Sequence, residues 1–334
     1  MEKPCKLPKI ENSTSSDNDI NSKTRDFISE LPDDVLYSIL LKLPLRESVR
    51  TRVLSHRWKH VYAFPSILEL NWLNMGQNHD FLEENEHPCR NCEEKFVRGV
   101  NQYLDFYKGT CLRSFKASFC LGHGPKSDID RWVNFAIRMG VETLSLDLYC
   151  EASSRNPTRE MFGEQLERNY VFQSSLLEGA KLNLKNLRLV ACRLGRNFTN
   201  QFSFLETLTL AYSPLARYDL HTLFSYMVNL NQLILLACSL PVKLSLGSLL
   251  LLKKFCLTGG AGTKELELSN PKLLHFQCMT REAITVNLSA VPNLITLKHS
   301  VDSTGIRYVF THVSQNHPML RTLTVYSRCD WVCE

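Results

Sequence analysis

The 334 residues carry a formal charge of +5, with 39 Lys and Arg set against 34 acids, and 44% of the side chains are hydrophobic. That composition is ordinary for a globular protein with room for one large domain and a small one, and so scattered an excess of positive charge does not by itself imply a nucleic-acid or membrane partner. No run approaches the roughly 18 apolar residues of a membrane helix and the polar opening MEKPCKLPKIENSTSSDND lacks a signal peptide's apolar run, so the 12 cysteines are expected to be reduced, mostly buried thiols of an intracellular protein, nuclear or cytoplasmic.

Residues 1–26, rich in Ser, Asn, Asp and Lys, bury almost nothing and are expected to form a disordered tail. Residues 27–65 form a separate block. Pro32 can open a helix, since the first helical N–H has no partner to lose. Asp33 and Asp34 then sit in the first turn, where the helix dipole favours negative charge. Val35, Leu36, Ile39, Leu40 and Leu43 share an apolar face, and Pro44 stops the helix. A second series, Val49, Val53, Leu54, Trp58 and Val61, predicts one or two further short helices. Some 40 residues make a small core. On pattern alone the block is equally a helical cap on the downstream domain or a unit that leans on a partner.

The block carries Ile28-x-x-Leu31-Pro32-Asp33-Asp34-Val35-Leu36, then Ile39-Leu40, Leu43-Pro44, Val49-Arg50-Thr51 and Val53-Leu54-Ser55-x-Arg57-Trp58-Lys59. In order and spacing it resembles the F-box of plant F-box/leucine-rich-repeat proteins of the FBD-associated type. It departs at His56, where Lys or Arg is usual, and at Tyr62, where Trp is common. The resemblance implies binding to a Skp-family adaptor and, through it, to a cullin scaffold. By position, Leu31, Pro32, Leu36, Ile39, Leu40, Leu43, Pro44, Val49, Leu54 and Trp58 are the candidates for adaptor contact or for support of the small helices. The basic cluster Arg46, Arg50, Arg52, His56, Arg57, Lys59 and His60 is either a DNA-binding helix or a solvated face. The resemblance favours the solvated face and no nucleic-acid partner.

A polar stretch spans about Asn74 to Glu94. Its Cys89-Arg90-Asn91-Cys92 could begin a zinc site, but no second pair lies at a usual spacing, and a solvated loop without metal is expected. Gly122-His123-Gly124-Pro125-Lys126-Ser127 has the wrong spacing for a phosphate loop, and Pro125 removes an N–H that phosphate would need. Asp130–Met139, with apolar Trp132, Val133, Phe135 and Ala136, predicts an amphipathic helix on an outer face. No catalytic motif is present and the ten histidines are dispersed, so neither enzyme activity nor a cofactor is expected.

Residues 66–334 are repetitive. Leu184-x-x-Leu187-x-Leu189-x-x-Cys192-x-Leu194 and Leu230-x-x-Leu233-x-Leu235-x-x-Cys238-x-Leu240 match the leucine-rich-repeat template, and the stretch from Leu205 to Leu215 matches with Ser213 in the Cys position. Weaker copies centre on Phe115, Leu144, Phe255, Phe276, Leu297 and Leu323, and Ile67-Leu68-Glu69-Leu70 can start the series. From Leu187 onward the centres stand 21 to 26 residues apart. The longer step from Leu144 to Leu187 predicts one degenerate copy between them. The expected fold is α/β: a small three-helix F-box, then a solenoid with parallel strands on its concave face and helices or irregular segments on its convex face. Cys192 and Cys238 are expected to be structural. Many relatives in the resembled family carry a further C-terminal domain, which is either absent here or cut off at Glu334.

Strand residues alternate between core and solvent. If Leu187 and Leu189 point inward, then Asn186, Arg188 and Val190 point out. So do Thr207 and Thr209, Gln232 and Ile234, Lys254 and Cys256, His275 and Gln277, Thr296 and Lys298, and Thr322 and Thr324. This mixed polar column suits a protein or peptide better than an apolar small molecule, with Arg188 as the first candidate anchor. Alternatively these positions are merely solvated and the partner binds at loops or at the C-terminal end. The functional expectation is a non-catalytic substrate receptor of a ubiquitin ligase, whose protein substrate the sequence does not identify. The alternative is a leucine-rich-repeat scaffold that does not enter a ligase.

Overall fold

A repeated L-x-L leaves each strand one apolar edge to bury, and stacking successive coils buries all of them together. The computed structural model describes residues 27–28, 30–40, 42–55, 57–58, 65–75, 89–109, 112–121, 124–149, 169–178, 183–196, 200–301, 305, 309, 313 and 316–327. The expected tail, residues 1–26, lies outside them, as does Glu334.

Helix α1 (Asp33–Leu40) follows Pro32, and α2 (Leu45–Arg50) follows Pro44 and runs into a 3-10 turn (Thr51–Val53). The solenoid begins with β1 (Ile67–Asn71), α3 (Cys89–Phe106), β2 (Ser114–Ser118), α4 (Lys126–Arg138) and β3 (Thr143–Asp147). It continues through β4 (Val171–Phe172), β5 (Asn186–Val190), β6 (Arg193–Leu194), β7 (Thr207–Ala211), α5 (Leu220–Ser225) and β8 (Gln232–Leu236). Last come β9 (Lys243–Ser245), β10 (Lys254–Thr258), β11 (Glu265–Glu267), β12 (His275–Met279), β13 (Thr285–Val286), β14 (Thr296–Val301) and β15 (Thr322–Ser327).

One parallel sheet of ten strands runs β1-β2-β3-β5-β7-β8-β10-β12-β14-β15, and a second, shorter parallel sheet joins β9, β11 and β13. The expected repeat centres form a single row across the long sheet: Leu68, Phe115, Leu144, Leu187, Leu208, Leu233, Phe255, Phe276, Leu297 and Leu323. All are buried except Leu323, which is half-buried on the terminal strand.

Two expectations are corrected. No further strand of the ten-stranded sheet lies between Leu144 and Leu187, because β3 pairs directly with β5; of the described residues between them, those of β4 pair with β6 in a separate two-stranded sheet. The CxxC segment is not a loop, since Cys89 to Cys92 form the first turn of α3. Cys92 packs against the main core. Among the described residues no cluster of His, Cys, Asp and Glu is arranged to hold a metal, and no helix is long and apolar enough to cross a membrane.

The outer layer over the first coils is α3 and α4. Phe96 of α3 stacks on Phe119 at 4.5 Å and meets Trp132 of α4 edge-on at 6.1 Å. The buried indole N–H of Trp132 donates to Asn101 Oδ1 at 2.9 Å, so the large side chain is sealed in without an unmet donor.

Candidate functional site

The N-terminal block has a very small interior. Leu36, Leu40 and Trp58 are buried, and Leu31 and Leu43 pack against them. These residues therefore support the helices; Leu36, Leu40 and Trp58 have no free surface for an adaptor. Arg57 fastens the opening turn. Its Nη2 donates to Leu31 O and to Asp33 Oδ1, each at 2.5 Å, and its Nε donates to the same carboxylate at 3.1 Å. This forked, charge-assisted grip fixes the Leu-Pro-Asp opening of α1, so Arg57 is not simply part of a solvated basic face.

Leu45 and Val49 of α2 pack against the solenoid core, which makes Val49 a support as well. Ile39 is half-buried, while Pro32, Pro44 and Leu54 are exposed. More apolar surface lies open than the spacing singled out. Val53 is 86% exposed and Leu54 65%, and Phe27, Ile28, Val35 and Tyr37 are exposed as well. The missed signal was arithmetic: so few helical turns cannot cover so many apolar side chains.

On the concave sheet the expected alternation places Asn186, Arg188, Thr207, Gln232, Ile234, Gln277, Thr296 and Lys298 half-exposed, and Lys254 and His275 exposed. Thr209 faces the same way but is buried, and Val190, expected to be open, is buried too. Tyr149 and Tyr212, just beyond the ends of β3 and β7, stack on each other at 4.2 Å. Arg188 is not a free charge: its guanidinium lies 3.6 Å from Asp147 Oδ2 on the neighbouring strand. Neighbouring amides and hydroxyls are paired as well. Asn186 Nδ2 donates to Thr143 Oγ1 at 3.2 Å, and Gln277 Nε2 donates to Thr258 Oγ1 at 3.3 Å.

Behind the strands a ladder of small polar side chains binds coil to coil. Cys238 Sγ donates to Leu210 O of the preceding coil at 3.4 Å and Ser213 Oγ to Cys192 O at 2.8 Å, while Cys192 Sγ donates within its own coil to Val190 O at 3.4 Å. Burial pushes the Cys238 thiol up to about 12 and raises Cys192 as well, with Asp147 adding to the rise at Cys192. Both thiols are held protonated, which fits packing rather than redox chemistry. A shallow cleft of about 540 Å³ at the N-terminal ends of the strands is lined by Glu142, Lys185, Phe204, Glu206, Asn231 and Leu251. Its charges are already paired, Arg113 with Glu142 at 3.7 Å and Lys185 with Glu206 at 3.3 Å.

The family model described as the At1g61320/AtMIF1 LRR domain matches residues 106–333, and the F-box domain model matches residues 28–61. The F-box protein At5g03100 of Arabidopsis thaliana is 25% identical over 281 residues, covering 83% of this chain and 78% of that protein. The F-box/LRR-repeat protein At4g14096 of the same plant is 30% identical over 211 residues, covering 59% of this chain and 42% of the relative. The F-box/LRR-repeat protein At3g03360, also from Arabidopsis thaliana, is 34% identical over 129 residues, 37% of this chain but only 23% of that protein's length. With a small helical block matching the F-box and a ten-stranded parallel solenoid matching the repeat domain, the chain belongs to the F-box/leucine-rich-repeat family.

Proposed function

We propose that the chain is the substrate-recognition subunit of an SCF-type ubiquitin ligase. The F-box docks on a Skp-family adaptor and through it on cullin, while the concave sheet holds the protein to be ubiquitinated. The observation that carries this reading is the division of labour within the F-box block. Its few core residues face inward and α2 leans on the solenoid, yet Val53, Leu54, Val35 and Tyr37 remain open. Large apolar side chains left open in such number on so small a block are what a covering partner would bury. A scaffold that never enters a ligase would keep the concave face but would have no use for this apolar patch.

The chain itself then forms and breaks no bond. It acts by holding a substrate lysine near the charged enzyme, raising the local concentration of the two partners. The reading carries with it a nuclear or cytoplasmic site of action and no role for nucleic acid or membrane. The test is co-purification of adaptor and cullin with the tagged chain. The wild type is expected to retain both, and V53D/L54D is expected to lose them at least tenfold with the solenoid's thermal transition unchanged. Adaptor retained at wild-type levels by V53D/L54D would overturn the assignment of this surface.

A further inference from the structure

We propose that Ser55 is a phosphorylation site for a basic-directed Ser/Thr kinase, and that phosphate there and the adaptor exclude one another. The exclusion rests on the proposed function, since it takes Val53 and Leu54 as residues the adaptor covers.

From Leu45 to Trp58 the chain carries three hydroxyls, Ser48, Thr51 and Ser55. The structure treats them differently. Ser48 is buried, and Thr51 donates its hydroxyl to Ser48 O at 2.7 Å. Ser55 is half-buried in irregular backbone beyond the 3-10 turn (Thr51–Val53). Its Oγ accepts the Trp58 N–H at 3.3 Å, and among the described residues its own proton has no acceptor. A hydroxyl oxygen has two lone pairs, so one is left to act as a nucleophile.

The flanks of Ser55 are cationic. Arg50 and Arg52 precede it by five and three residues, and Arg57 follows by two. A kinase with an acidic peptide groove selects its acceptor by such a charge pattern. Arg50 is engaged only by Glu47 at 2.9 Å, with both side chains well exposed, and an exposed pair of this kind is worth little and is readily exchanged. A kinase reads an extended segment, so the 3-10 turn must open. That turn buries none of its own side chains, and Leu54 N closes it on Thr51 O at 2.9 Å. Opening so poorly packed a turn costs little. An adaptor seated on Val53 and Leu54 would cover the turn and hold it closed.

In the transfer, Ser55 Oγ attacks the γ-phosphorus of ATP and forms the new O–P bond. The bond from that phosphorus to the β–γ bridging oxygen breaks, ADP leaves with its electron pair, and the hydroxyl proton passes to the kinase's base. The phosphoserine then carries a charge of about −1.5 to −2 at pH 7. It stands next to Leu54, which is 65% exposed, and two residues from Val53, which is 86% exposed. Burying those apolar side chains against the adaptor would strip water from the phosphate as well, and that cost opposes docking.

The experiment treats the full chain with Mg-ATP and the catalytic subunit of the cyclic-AMP-dependent kinase, as the basic-directed probe, with and without saturating Skp-family adaptor. Mass spectrometry places the phosphate, and adaptor affinity is measured before and after treatment. S55N is the control, because Asn keeps the cap on the Trp58 N–H and takes no phosphate. Phosphate is expected on Ser55 of the free chain, at least tenfold more slowly with adaptor bound. Adaptor affinity should fall at least tenfold on phosphorylation, and kinase-treated S55N should bind as it did untreated. No phosphate on Ser55, phosphate on Thr51 in its place, or full adaptor affinity after complete phosphorylation of Ser55 would overturn the proposal. An untreated chain that binds no adaptor would instead overturn the ligase reading and with it the exclusion, leaving the modification site to stand on the mass spectrum alone.

Discussion

Proline at position 214 removes a link from the coil-to-coil ladder. In the next two coils, the residue after the Cys position donates its backbone N–H to the preceding coil: Ser239 N to Ser213 O at 3.1 Å, and Ala261 N to Cys238 O at 3.1 Å. Pro214 aligns with Ser239 but has no N–H to give, and the carbonyl it would have served is that of buried Cys192. Ser213 fills the gap: its hydroxyl, in a residue 1% exposed, donates to Cys192 O at 2.8 Å. Serine stands here in the cysteine position because its proline neighbour makes a strong side-chain donor necessary. S213A leaves that buried carbonyl unmet and is expected to cost about 1–3 kcal/mol. P214A alone is expected to cost about 0.4–1 kcal/mol through the freer unfolded chain. In S213A/P214A the restored N–H can serve Cys192 O, so the double variant should lose about 1 kcal/mol less than the two single losses combined. Urea denaturation of the four proteins measures this coupling. Strict additivity would refute the compensation.

Leu233 sits in the buried row between Leu208 and Phe255; L233A is expected to cost about 2–5 kcal/mol by denaturation, and a loss under 1 kcal/mol would contradict the packing. Ala237 adopts φ 47° where the next coil has Gly259 at φ 65°, so A237G should relieve left-handed strain and raise stability by about 1 kcal/mol; a lower melting temperature would argue against this. Cys238, pushed up from 9.0 to about 12, is neutral at pH 8 and should resist a thiolate-specific reagent until the chain unfolds. Because its folded value is raised, the stability it contributes is full below pH 9.0 and is lost as pH climbs toward 12; rapid native labelling at pH 8 would refute it.

The repeat was legible because its chemistry is repeated: every L-x-L had to find the same inward register, and weak copies such as Phe115 and Leu323 joined the row at their expected places. The step from Leu144 to Leu187 misled because sequence distance alone does not say whether another strand of the row lies within it, and β3 pairs directly with β5. Helix α3 was missed where its opening turn is dominated by Cys, Arg, Asn and Glu, even though Phe96, Val100, Tyr103 and Leu104 mark its buried face. Val190 holds an outward place in the alternation yet is buried, because alternation fixes which side a residue faces and not what covers that side. In the F-box, Leu36 and Leu54 are the same residue type in one motif. Only their neighbours decide that the first is core and the second is surface.

Hydrogen–deuterium exchange of the full chain, with and without a purified Skp-family adaptor, tests the receptor assignment most directly. Adaptor docked on the open F-box surface should slow exchange across residues 31–54 and leave β5 to β15 unchanged. No protection at saturating adaptor, or protection confined to the repeats, would contradict it.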